Sequence, residues 1–384
     1  MLIRKAYKFR LYPNQEQQDS LARQFGCSRF VYNHFLRQRL GHYAATGKGL
    51  SYHTTAKMLT DLKYMEGFEW LQEANAQALQ QSLRDLDTAY KNFFDQRAAF
   101  PRFKSKHDKQ SFRVPQAFRV EGDRLIIPKT SPIKVVVHRS IEGTMKQVTI
   151  SKTKSGRYFA SILCEAEIPD PAYAGGATGI DLGLKEFIVT SDGEREAAPQ
   201  YLRKSEKRLR RLQRRVSRRQ KGSKGREKAR HELAKQHEKV ANQRSDFLHK
   251  LSRRLVGENQ VIAVESLYVK GMVRNHHLAK SISDAGWGEF VRQLQYKGEW
   301  YGCNVQQVDR FFPSSKRCHD CGYINQYLAL NQREWACPEC GVLHDRDVNA
   351  ARNILTFSTA GTAGIDADGE HVRQSRASHR LQAR

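Results

Sequence analysis

The sequence predicts a multidomain α+β protein, and three patterns along its 384 residues lead to this fold class. Apolar and basic residues alternate at 3–11, and short strand-like runs return at 111–168, as in half-buried strands. Between about 15 and 97, apolar residues recur at helical spacing. Two later apolar runs, in GIDLGLKEF and NQVIAVESL, are typical of buried strands that lead into an acidic residue.

The N-terminal part predicts a small antiparallel barrel into which a helical domain is inserted. Pro13 and Asn14 end the first strand, and NQEQQ opens a helix. EGD at 121–123 and KSG at 154–156 have the composition of hairpin turns between short strands. We therefore expect the barrel to comprise residues 1–13 and 107–170, and the helical domain to comprise 14–106.

The helical domain has a clear apolar stripe, and a linker closes the barrel segment. The stripe predicts the core of a helix bundle and consists of Leu79, Leu83, Leu86 and Tyr90, extended by Phe93 and Phe94. FPRFKSKHDK at 100–109 is a basic linker, and DPAYAGGA at 170–177 predicts a domain boundary.

Charge is the strongest signal in the composition. Lys and Arg total 66 against 40 acidic residues, which gives a formal net charge of +26. Such an excess favours a polyanionic partner, with nucleic acid first and an anionic membrane surface second. The membrane interpretation is the weaker one, because no apolar run approaches the roughly 18 residues that a spanning helix needs. The first residues contain no apolar signal core, so secretion is not expected.

The positive charge is concentrated in a predicted helical hairpin at 200–256. One face of each helix is apolar, GSKG at 222–225 forms the turn, and acidic residues are almost absent from 207–226. The alternative, a face that is merely solvated, normally comes with intrahelical ion pairs. We therefore expect a phosphate-binding surface, whose candidate residues are Arg203, Arg210, Arg211, Arg214, Arg215 and Arg218.

Four of the seven cysteines predict a structural zinc site. Cys318, Cys321, Cys337 and Cys340 have the spacing C-x2-C-x15-C-x2-C, and a glycine follows each pair. Two such turns supply four thiolates in tetrahedral geometry and leave no open position for catalysis. A redox dithiol, the alternative, needs one CxxC pair alone. The predicted zinc ribbon comprises 313–342, whereas Cys27, Cys164 and Cys303 are expected to be small buried residues.

Three carboxylates far apart in sequence are candidates for catalysis. Asp181 lies in the strand-like run GIDLGLKEF, and Glu265 ends the strand VIAVE. Near the C-terminus, HDRDVNAARN offers Asp345 and Asp347. On a helix, Asp347 shares a face with Ala350, Ala351 and Ile354, whereas Asp345 lies about 200° away. We therefore assign Asp347 to the site and expect Asp345 to be an N-cap or solvent-facing residue. His344 is expected to be structural.

Carboxylates on two strands and a helix suit a pair of divalent cations about 4 Å apart, of the kind that hydrolyse phosphodiesters. Mg²⁺ fits because it prefers hard oxygen ligands. No glycine-rich phosphate loop or GKS/GKT motif follows a strand, so hydrolysis of a nucleotide for energy is unsupported.

These stretches together resemble the TnpB family of transposon-encoded, RNA-guided DNA endonucleases, relatives of type V CRISPR effectors. The resemblance covers nearly the whole chain to about residue 355. It rests on five segments in the same order: GIDLGLKEF, VIAVESL, SISDAGWGEF, FFPSSKRCHDCG and HDRDVNAARNI, with RLYPN, SRFVYNHFL and LQQSLRDLDTAYKNFF in the N-terminal part.

The resemblance implies a domain plan and a reaction. The barrel would be a wedge domain, and residues 176–312 and 343–356 would form an RNase H-like RuvC nuclease domain that carries the ribbon as an insert. The family's catalytic residues fall on Asp181, Glu265 and Asp347. Its partners would be a guide RNA from the transposon end and double-stranded target DNA beside a transposon-associated motif, which Tyr52 and Gln80 would read.

Two other functions remain compatible with the residues. An RNase H-fold transposase also uses three carboxylates, and a regulator could bind nucleic acid without catalysis, although the complete triad disfavours that. We expect a monomer with one RNA, in the prokaryotic cytoplasm at the nucleoid. Residues 357–384, rich in Gly, Ala, Ser and Arg, are expected to be a disordered tail.

Overall fold

The structure is a computed structural model that describes residues 1–167, 175–329 and 331–360. It divides into two compact units, of which the first comprises 1–169 and 216–235 and the second the remainder. Seven strands of the first unit form one antiparallel sheet in the order β2-β6-β7-β1-β5-β4-β3. They are β1 (Leu2–Tyr12), β2 (Gln110–Val114), β3 (Arg119–Glu121), β4 (Arg124–Ile127), β5 (Thr130–Val136), β6 (Thr144–Lys152) and β7 (Tyr158–Glu167).

This sheet is a curled half-barrel, not the closed barrel that the sequence predicted. β2 and β3 are its two edges, and no pairing joins them within the described strands. The predicted hairpins are confirmed, since β3 pairs with β4 across EGD and β6 pairs with β7 across KSG. Its core includes Tyr7, Phe9, Phe112, Val148 and Ile162.

Helices occupy the segment between β1 and β2, as the sequence predicted. They are α1 (Gln15–Thr46), α2 (Tyr52–Leu62), a 3-10 turn (Glu69–Glu73) and α3 (Ala76–Phe94). Asn14 caps α1 by accepting from the backbone N–H of Gln17, whose side chain accepts in return from Asn14 N. The predicted stripe is confirmed for Leu79, Leu83 and Leu86, which are fully buried, while Tyr90 packs against that core partly buried. Its predicted extension is wrong at Phe94, which is 72% exposed in the last turn of α3.

The second unit is built around a five-stranded mixed sheet in the order β10-β9-β8-β11-β12. Its strands are β8 (Ala177–Leu182), β9 (Glu186–Thr190), β10 (Arg195–Ala197), β11 (Val261–Glu265) and β12 (Asn304–Val308). β9 pairs antiparallel with both β8 and β10, whereas β11 pairs parallel with both β8 and β12. The segments that sequence analysis assigned to buried strands therefore lie next to each other at the centre of the sheet.

The described residues after β7 contain six helices: α4 (Tyr201–Ser217), α5 (Lys224–Glu258), α6 (Val269–Met272), α7 (Ala279–Ala285), α8 (Trp287–Tyr301) and α9 (Arg346–Ala360). α4 and α5 are the two helices predicted for 200–256. One core joins the sheet to α5, α7 and α8 and includes Ile180, Ile262, Leu251, Phe290 and Leu294. A second, smaller core joins the sheet to α9 through Ala263, Val308 and Ile354.

Two short strands complete the fold near the cysteines: β13 (Glu334–Ala336) and β14 (Leu343–Asp345), which pair antiparallel. α9 continues to Ala360, so the predicted tail begins at least four residues too early. The remainder of that tail, 361–384, and most of the predicted linker at 170–177 lie outside the described residues. None of the helices described is both long and apolar enough to cross a membrane.

Candidate active site and metal centre

Asp181 and Glu265 lie side by side because their strands are parallel neighbours. Ile180 of β8 is in register with Val264 of β11, so the acidic residue that follows each one lies at the same level of the sheet. Both positions are near the carboxyl ends of the strands, where the loops of open α/β sheets usually form binding sites. The sequence reasoning paired these two residues, and the strand register brings them together.

Asp347 reaches the same place from the first turn of α9, which packs against β8. Ala350, Ala351 and Ile354 are buried, as the helix-face argument predicted. The approach is close at Gly179, where a Cβ atom would lie 1.9 Å from the carbonyl oxygen of Ala351. Glycine at 179 therefore lets the helix backbone touch the strand.

Asp345 caps α9, which confirms the role expected for it. Its Oδ1 accepts from the backbone N–H groups of Asp347 and Val348, at 3.1 and 3.0 Å. Its Oδ2 lies 2.8 Å from Arg195 Nη2. The two aspartates of HDRD thus have different structural positions, although both border the cleft.

One cleft is lined by all three predicted carboxylates. Its other lining residues come from the β8–β9 turn, the start of β10, the segments before the first cysteine pair and before β13, and the junction of β14 with α9. They include Lys185, Arg195, Ser314, Ser315, Arg333, Asp345 and Arg346. The carboxylates do not converge as tightly as the cysteines do. Among the residues described, two groups of potential metal ligands have their ligand atoms within 4.8 Å of one another. One is the four cysteines, and the other is Cys318, Asp320 and His344. The three carboxylates do not form such a group.

Burial shifts two acids of the cleft, Asp181 and Glu265, toward the protonated form. Burial raises the pKa of Asp181 to about 8, and the negative charges of Glu265 and Asp347 act in the same direction. Burial also raises the pKa of Glu265, against the opposing effect of the hydrogen bond that Ser314 Oγ donates to Glu265 Oε1 at 2.7 Å. Clustered acids that resist ionisation are a common property of sites that hold a cation.

Two arginines that the sequence reasoning missed border these acids. Arg333 Nη1 donates to both carboxylate oxygens of Asp347, at 2.9 and 3.1 Å. Arg195, which pairs with Asp345, also has its Nη1 3.9 Å from Oδ2 of Asp347. Neither arginine stood out in a chain with 66 basic residues. The one available signal was indirect, since buried acids require a compensating charge.

The cysteines form a compact four-sulfur group, as the spacing predicted. Cys318 Sγ lies 3.7 Å from Cys340 Sγ, and Cys321 Sγ lies 3.6 Å from Cys337 Sγ. Gly322 and Gly341 have φ angles of 82° and 73°, and each donates its N–H to the first cysteine of its pair, which closes the turn. Four sulfurs at this separation are compatible with tetrahedral coordination of zinc.

Side chains of β14 and α9 hold the first cysteine pair. His344, expected to be structural, is buried against Trp335, and its Nε2 lies 3.0 Å from Cys318 Sγ. Asn349 and Asn353 lie one turn apart on α9, and both donate to the carbonyl oxygen of Arg317, at 2.7 and 2.6 Å. Asn353 also donates to the carbonyl of Ser314, the residue that contacts Glu265. The cysteine group and the carboxylate cleft are therefore tied to the same helix.

The predicted nucleic-acid residues are exposed except for Tyr52, which is half-buried against the core of the helical domain. The six candidate arginines of 203–218 are exposed, while Leu209 and Leu212 give α4 a buried face. Arg210 forms an intrahelical ion pair with Glu206, four residues earlier. Glu206 lies just before the acid-poor stretch. In the other unit, Gln80 is exposed one turn before Arg84 on α3, and Arg84 Nε donates to the hydroxyl of Tyr52 at 3.3 Å.

Family models match most of this architecture. A model described as "Probable transposase" (OrfB_IS605) matches residues 161–276, a "Cas12f1-like, TNB domain" matches 287–354, and a "Helix-turn-helix domain" of the same OrfB family matches 1–48. The second match covers the cysteine group and Asp347.

A protein from Streptomyces pristinaespiralis is 41% identical over 98% of this chain and 95% of its own length. The chain belongs to the TnpB (OrfB) family. A further member, InsQ from Escherichia coli K12, is 35% identical over 97% of this chain and 96% of its own. Both relatives carry the name "Putative RNA-guided DNA endonuclease".

A solved structure supports the fold class. The Cas12f1 chain from a complex with sgRNA and target DNA matches with a TM-score of 0.58 and 14% identity, over 92% of this chain and 98% of that one. The TnpB-family chain thus has a Cas12f-like α+β fold, which confirms the predicted fold class at this level.

Proposed function

We propose that this protein is an RNA-guided endonuclease that cleaves double-stranded DNA next to a transposon-associated motif and thereby supports maintenance of its transposon. The observation that carries the proposal is the cleft in which Asp181, Glu265 and Asp347 meet. The names of two relatives of nearly equal length, and the guide RNA and target DNA bound by the Cas12f1 neighbour, support the same conclusion.

The carboxylates suit a pair of Mg²⁺ ions because they offer hard oxygen donors whose own charges repel one another. Bound there, the cations would activate a water molecule and stabilise the leaving oxygen of the phosphodiester. Asp181 would give up its proton, and Asp347 would exchange Arg333 for a cation. Ser314 would keep Glu265 oriented, because the hydroxyl donates to one carboxylate oxygen and leaves the other available.

We assign the domain roles according to the predicted plan. The order of the five strands, in which β8, β9 and β10 pair antiparallel and β8, β11 and β12 pair parallel, supports an RNase H-like RuvC domain at 176–312 and 343–356. The cysteine group supports a structural zinc ribbon at 313–342. Asn349 of α9 contacts this segment through the carbonyl of Arg317. The half-barrel with its inserted helices would be the wedge and recognition domains.

Nucleic-acid contacts are assigned by charge and exposure. The exposed arginines of α4 and the turn that follows it would bind phosphates of the guide RNA. Tyr52 and Gln80 would read the motif beside the target. Arg84 is next to both, since it donates a hydrogen bond to the Tyr52 hydroxyl and follows Gln80 by one helical turn.

The test begins with the RNA that copurifies when the protein is expressed from its own locus. Sequencing should return one RNA species from the transposon end. The purified complex should then cut a plasmid that carries a sequence matched to that RNA, and leave an unmatched plasmid intact. A pure protein without RNA that binds transposon-end DNA would instead support the transposase alternative, which the description of the matched family model favours.

A further inference from the structure

Two aromatic side chains and an arginine form an exposed group at the carboxyl ends of β11 and β12. Phe311 is 79% exposed and Tyr268 is 53% exposed. The guanidinium of Arg310 lies near both rings, 4.7 Å from the ring centre of Phe311 and 5.8 Å from that of Tyr268. We refer to these three residues as the aromatic platform.

The exposure of Phe311 is not explained by folding. Its neighbour Phe312 packs against Phe357, with ring centres 4.2 Å apart, and against the small core beneath α9. Phe311 has its backbone N–H bonded to the carboxylate of Asp309 at 2.8 Å, within a turn. Two adjacent phenylalanines therefore differ, since one contributes to the core and the other presents a large apolar ring to solvent.

The platform is close along the chain to two residues of the carboxylate cleft. Tyr268 follows Glu265 by three residues, and Phe311 precedes Ser314, the hydrogen-bond partner of Glu265, by three. A three-residue segment spans at most about 11 Å between Cα atoms. Any ligand on the platform is thus within a few nucleotides of the three acids.

We propose that Tyr268, Arg310 and Phe311 bind unpaired bases of the DNA strand that enters the carboxylate cleft. Bases stack on exposed aromatic rings irrespective of sequence, and a guanidinium beside the rings adds attraction to the backbone or to a base face. Bases inside an intact duplex offer no such faces. The inference rests on the proposed function and assigns three further residues to the binding of its substrate.

A binding measurement tests the platform independently of cleavage. The full chain with its guide RNA is titrated with a fluorescein-labelled single-stranded DNA unrelated to the guide, by anisotropy at several NaCl concentrations. Phe311→Ala and Tyr268→Ala should each weaken binding at least about fivefold, the lower end for one base–aromatic stack. The slope of log affinity against log salt should stay unchanged in both, whereas Arg310→Ala should lower it by about one.

Four control variants separate stacking from loss of folding or of apolar surface alone. Phe311→Trp should restore binding, whereas Phe311→Leu should not, because leucine is apolar but has no ring. Tyr64→Ala removes a ring that is 73% exposed in the other unit and should bind normally. Phe312→Ala should lower the melting temperature, whereas Phe311→Ala should not.

The outcomes are distinct. An oligonucleotide with abasic sites should bind the wild type more weakly than the intact strand, and Phe311→Ala should not distinguish the two. If Phe311→Ala and Tyr268→Ala bind the intact strand as tightly as the wild type, the platform does not exist. If they lose binding while the wild type fails to cut any matched DNA, the platform stands and the proposed function fails.

Discussion

At the scale of single residues, the cleft is defined by acids in unequal environments. Asp181 is the most perturbed, since burial and two neighbouring acids raise its pKa to about 8. Asp347 is held by Arg333, and Glu265 by Ser314. A cation in the cleft would therefore relieve repulsion between Asp181 and Glu265 and replace an existing ion pair at Asp347.

The pKa of Asp181 predicts how stability depends on pH when divalent cations are chelated. This carboxyl binds a proton more tightly in the folded protein than in the unfolded chain, where its pKa is about 4. The folded state therefore carries the extra proton between about pH 4 and pH 8, and the free energy of unfolding falls as pH rises through that window. Glu265, also raised, contributes in the same direction.

Thermal unfolding in a chelator checks this prediction. The melting temperature should fall between pH 5 and pH 8, and it should fall less in Asp181→Asn, which has no carboxyl to ionise. Asp192→Asn, at an exposed position after β9, is the matched control and should follow the wild type. Equal slopes in all three proteins would contradict the assigned pKa.

Sequence reasoning reached the acids but not their counter-charges. Asp347 could be separated from Asp345 because helical periodicity assigns them to different faces, and both assignments agree with the structure. Arg195 and Arg333 carry no comparable pattern. Which of many arginines meets an acid depends on how β10 and the cysteine segment fold back onto α9, and sequence spacing does not encode that.

At the scale of elements, the contact between α9 and β8 positions Asp347. A Cβ at Gly179 would overlap the Ala351 carbonyl, so Gly179→Ala should move the helix or destabilise the unit by about 1–3 kcal/mol. Cleavage should be lost with it. Gly26→Ala in α1, where nothing lies within 4 Å of the new Cβ, should be neutral or stabilising by up to about 1 kcal/mol. Wild-type cleavage by Gly179→Ala would show that this close contact does not matter.

The cysteine group predicts a metal that contributes to local folding. Cys337→Ser should reduce the zinc content of the purified protein and weaken DNA binding, because metal-binding energy there stabilises the ribbon. Cys164→Ala, which removes a buried thiol in β7 outside the group, should retain the zinc. Absence of zinc from the pure wild type would refute the assignment.

Element types were predictable, but the closure of the first sheet was not. Alternation and turn residues predicted its strands and hairpins because both are local properties. Whether β2 and β3 meet depends on sheet twist and on strand length, and β3 has only three residues. The result is an open half-barrel.

At the scale of the whole molecule, the charge of +26 favours a polyanionic partner, and the region around α4 carries much of that charge. Replacing Arg210, Arg211, Arg214 and Arg215 with Ala should weaken RNA binding and flatten the slope of log affinity against log salt. The change should be smaller than four contacts would give, since Glu206 already compensates Arg210. The four lysine replacements keep the charge and should keep the slope; an unchanged slope in the alanine variant would indicate a merely solvated face.

The central claim is that one carboxylate cleft cuts both strands of guided DNA, and a pair of variants tests it most directly. Cleavage of a matched duplex in Mg²⁺ is measured for the wild type, Asp347→Ala and Asp345→Ala, with RNA and target binding measured in parallel. Asp347→Ala should bind as the wild type does and cut neither strand. Asp345→Ala should retain most cleavage, with a capping loss of about 1 kcal/mol. Normal cutting by Asp347→Ala, with loss of cutting by Asp345→Ala, would contradict the account.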